Sequence, residues 1–65
     1  MTIGEKVRAA REAKGWTRWE LAMASMVQPM TIAGIEWGKR QPTIRKLQAL
    51  AKGLGVEVQE LLDSD

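Results

Sequence analysis

The chain contains no cysteine and no histidine among its 65 residues. Without cysteine it has neither a disulfide framework nor thiolate ligands for a metal ion. Without histidine it lacks the commonest metal ligand and the usual general base at neutral pH. Most of the ordinary machinery of an enzyme is therefore missing, and we expect a protein that has no catalytic activity and uses no cofactor or metal.

Long apolar stretches are missing as well. No run approaches the roughly 20 apolar residues of a membrane-spanning helix, and the N-terminus lacks the pattern of a signal peptide. We therefore expect a cytoplasmic protein, of bacterial or phage type if it is natural, that does not associate with membranes. The length predicts one domain over residues 1–65 with a thin stability margin, because so short a chain buries only about 60% of its unfolded surface.

The charged residues are unevenly distributed along the chain. Residues 1–52 hold all ten Lys and Arg but only four acidic residues, a net charge of +6, whereas residues 53–65 hold four acidic residues and no basic one. A basic body with an acidic tail favours a polyanionic partner for the body. Charge alone is equally compatible with an ordinary solvated surface, so the motifs must identify the partner.

Apolar residues at helical spacing predict an all-α fold of five helices, over about 3–14, 18–25, 29–37, 44–54 and 58–63. Thr2 with Glu5 and Thr17 with Glu20 form capping-box patterns at the first two helix starts. Pro29 suits the first position of the third helix, where its missing N–H would have no partner anyway. A glycine follows the first, third and fourth helices, as expected at helix ends. No strand pattern or repeat is present.

The second and third helices, 18–25 and 29–37, are short and are joined by only a few residues. This is a helix-turn-helix arrangement. In such a pair the second helix reads base edges in the DNA major groove, and the first crosses the backbone.

The sequence resembles the lambda-repressor and Cro-like family along essentially its whole length. The matching positions are 3–8, 11, 15–22, 27, 31–32, 35–36, 38–39, 42, 47, 50–51, 54–56 and 61–62. The resemblance implies a compact five-helix bundle that binds double-stranded DNA through the major groove. It also implies a role as a transcriptional regulator or, if the domain is redesigned, as an engineered DNA-binding module.

The resemblance places six residues of the third helix and its N-cap against the bases: Gln28, Pro29, Met30, Thr31, Ala33 and Gly34. Family members often carry Ser, Gln, Arg or Asn at these positions, whereas here only Gln28 and Thr31 can form hydrogen bonds with base edges. Gln28 pairs most naturally with adenine, and Met30 and the Thr31 methyl suit the methyl group of thymine. Ala33 and Gly34 are expected on the exposed side, where Gly34 would let the helix approach the DNA closely.

Seven further residues are implied as phosphate contacts that flank the groove: Thr17, Arg18, Trp37, Lys39, Arg40, Gln41 and Thr43. Arg18 stands where glutamine is common in the family, and we expect a flexible cation that adds affinity but no sequence information. Trp37 could instead fill a surface apolar patch, although contact with the sugar-phosphate backbone is preferred. For Trp19, packing under the first helix and shielding a phosphate contact both stay open.

Arg11 and Glu36 occupy positions that form a buried or half-buried ion pair in the family. The resemblance therefore implies a structural role for both residues, linking the first helix to the third. Removing one partner of a buried pair costs about 3–5 kcal/mol, because the other charge is left unpaired.

Two other classes of function compete with DNA binding. One is a protein-interaction module, such as an antitoxin that uses the same fold to hold a toxin. The other is an enzyme, for which no residue pattern argues. Because little sequence lies outside the five helices, we expect a monomer or a weak homodimer on double-stranded DNA.

Overall fold

The computed structural model describes residues 1–62, in which five α-helices are joined by short turns and no strand is present. The helices are α1 (Ile3–Ala13), α2 (Arg18–Ser25), α3 (Pro29–Glu36), α4 (Ile44–Leu54) and α5 (Val58–Leu62). The predicted all-α class is confirmed. None of the helices in this part of the chain combines the length and the apolarity needed to cross a membrane.

The helix boundaries differ from the predicted ones by a single residue at two ends. Lys14 and Trp37 are C-caps rather than the last helical residues. Each is followed by a glycine with positive φ, Gly15 at 72° and Gly38 at 77°, which turns the chain away from the helix axis. Asp63, the predicted end of the last helix, lies outside the described residues.

Both predicted capping boxes are present. The Thr2 hydroxyl accepts a hydrogen bond from the Glu5 N–H at 3.1 Å, and the Glu5 carboxylate accepts one from the Thr2 N–H at 2.8 Å. The bond from the Thr2 backbone lowers the pKa of Glu5 below its ordinary value. Thr17 and Glu20 repeat the arrangement at 3.2 Å and 2.7 Å. These local bonds satisfy N–H groups that the helix itself cannot pair, which is why α1 and α2 begin where they do.

The core is built from aliphatic side chains. Its buried members are Val7, Leu21, Val27, Ile32, Ile35, Leu47, Leu50, Ala51, Leu54 and Leu61. Full burial of a Leu or Ile side chain contributes roughly 1.5–3 kcal/mol, so this cluster is the main source of stability. α3 packs against both α1 and α2, and α2 packs most extensively on α4.

α1 and α3 meet at backbone contact. A Cβ added to Gly4 would overlap the Ile35 carbonyl oxygen and would lie 3.1 Å from the Glu36 Cα. Only glycine allows this approach, because any side chain would collide with backbone that cannot move freely. The contact fixes the C-terminal end of α3 against α1.

The turn between α2 and α3 is held by Ser25. Its buried hydroxyl donates to the Leu21 carbonyl at 2.7 Å and accepts from the Val27 N–H at 3.2 Å. The next residue, Met26, has φ of 63° and is 89% exposed. A left-handed conformation costs a non-glycine residue about 1–2 kcal/mol, so the turn contains strain that the surrounding packing sustains.

Candidate nucleic-acid interface

The N-terminal half of α3 is the open part of that helix. Gln28 is the N-cap, and its exposed side chain makes no capping hydrogen bond. Met30 is 77% exposed, while Pro29 and Thr31 are half-buried. Four of the six predicted base-reading residues therefore lie together at one end of the helix, accessible to a ligand.

The predicted exposure of Ala33 and Gly34 is wrong. Ala33 is only 4% exposed and Gly34 is buried. α3 packs on two neighbouring helices, α1 and α2. A larger part of its surface is therefore covered than in a helix with a single neighbour. Gly34 is covered by another element, because the Arg40 side chain lies across it. Neither residue offers open surface to a ligand.

A cluster of charges fixes the C-terminal end of α3. The Glu36 carboxylate, whose side chain is fully buried, accepts from Arg11 Nε at 2.8 Å and from Arg11 Nη2 at 3.0 Å. Arg11 Nη1 also donates to the Trp16 carbonyl at 2.8 Å. The hydrogen bond to Glu36 raises the pKa of Arg11 above its ordinary value. Bidentate pairing of this kind is among the strongest side-chain contacts, and it links α1 to α3 as the resemblance implied.

Arg18 belongs to the same cluster, which corrects the expectation of a flexible cation. Its Nε donates to Glu36 Oε1 at 3.0 Å, and its guanidinium lies 5.3 Å from the centre of the Trp37 ring. Its side chain remains 32% exposed, and within residues 1–62 its two Nη groups have no hydrogen-bond partner. Arg11, Arg18 and Glu36, which we call the charge cluster, therefore carry a net positive charge, part of it at the surface.

Trp37 is 58% exposed and covers the Arg18 guanidinium. A cation held over an indole ring is stabilised by the charge distribution of the ring, by about 0.5–1 kcal/mol at exposed sites. The Trp37 side chain thus contacts Arg18 within the same chain, and neither sequence-based interpretation of Trp37 included this contact.

The turn between α3 and α4 folds back onto α3. The N–H groups of Lys39 and Arg40 both donate to the Gly34 carbonyl, at 2.9 Å and 3.1 Å. Thr43 caps α4 by accepting from the Lys46 N–H at 3.1 Å. The predicted phosphate contacts in this turn, Lys39, Arg40, Gln41 and Thr43, are all exposed and lie beside α3.

Two basic residues that the sequence-based prediction missed lie next to the open end of α3. Arg45 and Lys46, in the first turn of α4, line a depression together with Gln28 and Thr31. Lys46 and Thr31 also line a second depression, together with Arg40. A usable signal was present, because the N-terminal turn of a helix favours acidic residues, and α4 carries two cations and no acid there. Such a charge placement does not stabilise the helix itself.

The residues that line these two depressions include no acid within the described chain. Arg40, Arg45 and Lys46, which we call the basic surface, therefore place three positive charges beside the exposed residues of α3. Such a surface attracts a polyanion and raises its local concentration.

The opposite side of the α3 start is apolar. Trp19 is 70% exposed, so packing under α1 is wrong. It lines a shallow apolar depression with Met23, Met26 and Pro29, among others. The two flanks of the α3 start thus differ in chemistry, with cations on the α4 side and apolar groups on the α2 side.

A family model described as helix-turn-helix matches residues 7–61. The immunity repressor protein of Bacillus phage phi105 is 28% identical over the whole chain, which covers 45% of that relative. An uncharacterized HTH-type transcriptional regulator of Mycobacterium bovis is 36% identical over 85% of the chain and 22% of its own length. The chain spans less than half the length of these curated relatives.

Solved structures match the fold closely. The restriction-modification controller protein C.AhdI from Aeromonas hydrophila superimposes with a TM-score of 0.88 and 32% identity, covering 91% of this chain and 89% of the other. The SinR protein in its complex with the SinI protein gives a TM-score of 0.91 and 31% identity, covering 97% and 62%.

Proposed function

This chain belongs to the helix-turn-helix family, and from that premise we propose that it binds specific sequences of double-stranded DNA by placing the open end of α3 in the major groove. The relatives named above are a phage repressor, a transcriptional regulator and a restriction-modification controller, which supports a role in transcriptional regulation. The antitoxin alternative finds no support among them.

The observation that carries the proposal is the basic surface beside the exposed start of α3. The major groove is about 12 Å wide and admits one α-helix, with phosphates along both of its edges. When Gln28 and Thr31 face the bases, Arg45 and Lys46 lie beside them, where they can reach a phosphate row. Phosphate neutralisation supplies affinity, and the residues of α3 supply the sequence information.

Direct base reading by α3 is proposed for Gln28, Pro29, Met30 and Thr31. The Gln28 amide can donate and accept at once, and such a bidentate pair with adenine is worth roughly 1–3 kcal/mol against the wrong base. Met30 and the Thr31 methyl add apolar contact with thymine. Because this stretch has only two hydrogen-bonding side chains, contacts from outside α3 must contribute to the readout.

Arg18 is proposed as a positioned phosphate contact. Its Nε is held by Glu36 and its guanidinium is covered by Trp37, so its free Nη groups are oriented before DNA arrives. Less side-chain freedom is then lost on binding. Thr17, Lys39, Gln41 and Thr43 are proposed as further phosphate contacts, and Trp37 acts mainly by holding Arg18.

The salt dependence of DNA binding tests the proposal. Fluorescence anisotropy of a labelled duplex should show affinity that falls steeply with salt concentration, and Arg45→Ala and Lys46→Ala should each lower the logarithmic slope by about one. Lys52→Ala is the matched control, since Lys52 lies in the last turn of the same helix, about 10 Å further along its axis. Binding without salt dependence, or an equal effect at Lys52, would contradict the proposed face.

The same titration tests the proposed state on DNA, a monomer or a weak homodimer. We expect one chain per minimal site, as measured by the stoichiometric end point with the duplex held well above the Kd. Cooperative binding of two chains with no detectable single-chain complex would show that a dimer is required.

A further inference from the structure

Gly34 has an unusual neighbour for a glycine inside a helix. A Cβ at this position would lie 2.9 Å from Arg40 Cδ, 3.1 Å from Cγ and 3.3 Å from Nε, and these are its three nearest atoms. Gly34 does not have the positive φ that explains the glycines at helix ends. Glycine at position 34 therefore provides space rather than an unusual backbone conformation, and the stem of Arg40 occupies that space.

Arg40 is held to Gly34 through its backbone as well. Its N–H and that of Lys39 donate to the Gly34 carbonyl. The backbone is thus anchored and the side-chain stem lies on the helix, so the Nε of the guanidinium is held beside Gly34. Arg40 is nevertheless exposed, and within residues 1–62 it forms no ion pair, unlike Arg11 and Arg18.

The Arg40 stem lies on the side of α3 that carries Gly34. Thr31 precedes Gly34 by three residues and so lies on the same side of the helix. Thr31 and Arg40 also line one depression. From Pro29 to Ile35 the helix has no charged residue of its own. Arg40 thus adds to the face of Thr31 a charged group with several N–H donors, which this stretch of α3 lacks.

We propose that Arg40 is a specificity-determining residue that reads a guanine, and that Gly34 positions it by leaving room for its stem across α3. The inference rests on the proposed function. Guanine presents two acceptors, O6 and N7, in the major groove, and the two parallel donors of a guanidinium match them, whereas adenine presents a donor at one of these places. This revises the sequence-based prediction, in which Arg40 contacts a phosphate and Gly34 lets the helix approach the DNA closely.

Binding-site selection with the wild-type domain, followed by affinity measurements on every single-base variant of the selected site, tests the inference. The wild type should require guanine at one position. Arg40→Ala should reduce that preference roughly ten- to hundredfold, the range of one good bidentate contact. Arg40→Lys should retain most of the salt slope but lose the preference, because an ammonium group is a point charge without the fork.

Gly34→Ala separates positioning from folding. The added methyl group displaces the Arg40 stem, so the guanine preference should fall toward that of Arg40→Ala. Alanine is also the better helix former, so the thermal unfolding midpoint should stay level or rise. A lower midpoint with an unchanged base profile would show a purely structural glycine and would overturn the inference.

Lys39→Ala is the control for charge, since Lys39 is the exposed cation next to Arg40. This substitution should weaken binding to all sequences equally. If Arg40→Ala behaves the same way, Arg40 contacts phosphate and the inference is overturned while the proposed function stands. If the wild type selects no site, the proposed function itself fails.

Discussion

The two ends of α3 differ sharply although the helix has only eight residues. At its C-terminal end Glu36 is buried under two arginines, and the backbone of α1 touches that of α3 at Gly4. At its N-terminal end Gln28 makes no capping bond and Met30 is 77% exposed. One end is committed to the fold and the other is left for a ligand, so a rigid base presents the part of the helix that is proposed to read DNA.

The difference predicts what substitutions do at each end. Around Glu36 the hydrogen-bonding groups are satisfied internally, and no buried side-chain nitrogen or oxygen within residues 1–62 lacks a partner. Changes there should affect the free energy of unfolding. Around Gln28 and Met30 little internal contact exists to lose, so changes there should affect binding and leave stability nearly intact.

The largest effect is expected for Glu36→Ala. It leaves Arg11 buried and Arg18 half-buried without their shared carboxylate, and the free energy of unfolding should fall by about 3–5 kcal/mol. Urea denaturation measures this fall. The free energy of unfolding of Glu36→Gln, which keeps a hydrogen-bond acceptor, should lie between those of the wild type and Glu36→Ala. Arg8→Ala is the control, because Arg8 pairs with Glu12 at 3.1 Å, away from Glu36, and more than half of each of these two side chains is exposed. Its cost should be under about 1 kcal/mol, and an equally mild Glu36→Ala would refute the contrast.

Gly4→Ala should come next. The new methyl group would overlap the Ile35 carbonyl, and forcing α1 away from α3 should cost about 1–3 kcal/mol. Gly34→Ala is the matched control, since the three atoms nearest to its methyl group all belong to the movable Arg40 side chain. The thermal unfolding midpoint should therefore fall for Gly4→Ala and stay level or rise for Gly34→Ala. A wild-type midpoint for Gly4→Ala would mean that the two helices can separate freely.

Met26→Gly should stabilise the turn that leads into the open end of α3. Glycine adopts φ of 63° without the cost that methionine bears, while its greater freedom when unfolded offsets part of the gain. We expect a net gain of about 0.5–1 kcal/mol on these terms. Met23→Gly, at an exposed position inside α2, should instead lose about 1 kcal/mol of helix stability. A loss at both positions would show that the turn relaxes in solution.

The smallest change in stability is expected for Gln28→Ala, within about 0.5 kcal/mol, because the side chain is exposed and makes no capping bond. DNA binding should nevertheless change, with the preference for adenine at one position reduced about fivefold or more. Affinities on the single-base variants of the selected site measure this. An unchanged base profile would move the readout away from the start of α3.

The sequence by itself determined the five helices and the family. Capping boxes at Thr2 and Thr17 act between residues three positions apart, whereas Pro29 at a helix start and the glycines after helix ends act through their own backbone. Such signals need no knowledge of the packing, and they predicted the helix boundaries to within a residue wherever the structure describes them. The resemblance to a helix-turn-helix family is confirmed by the match over residues 7–61.

Tertiary structure alone decided which sides of these helices are covered. The apolar run from Ile32 to Ile35 has no clear helical period, so its pattern could not show that Ala33 and Gly34 are buried between neighbouring elements. The bond from Arg18 to Glu36 joins residues 18 positions apart, and the contact of Arg40 with Gly34 depends on how a turn folds back. Helix crossing sets these arrangements, and crossing depends on the shapes of several helices at once rather than on any local pattern.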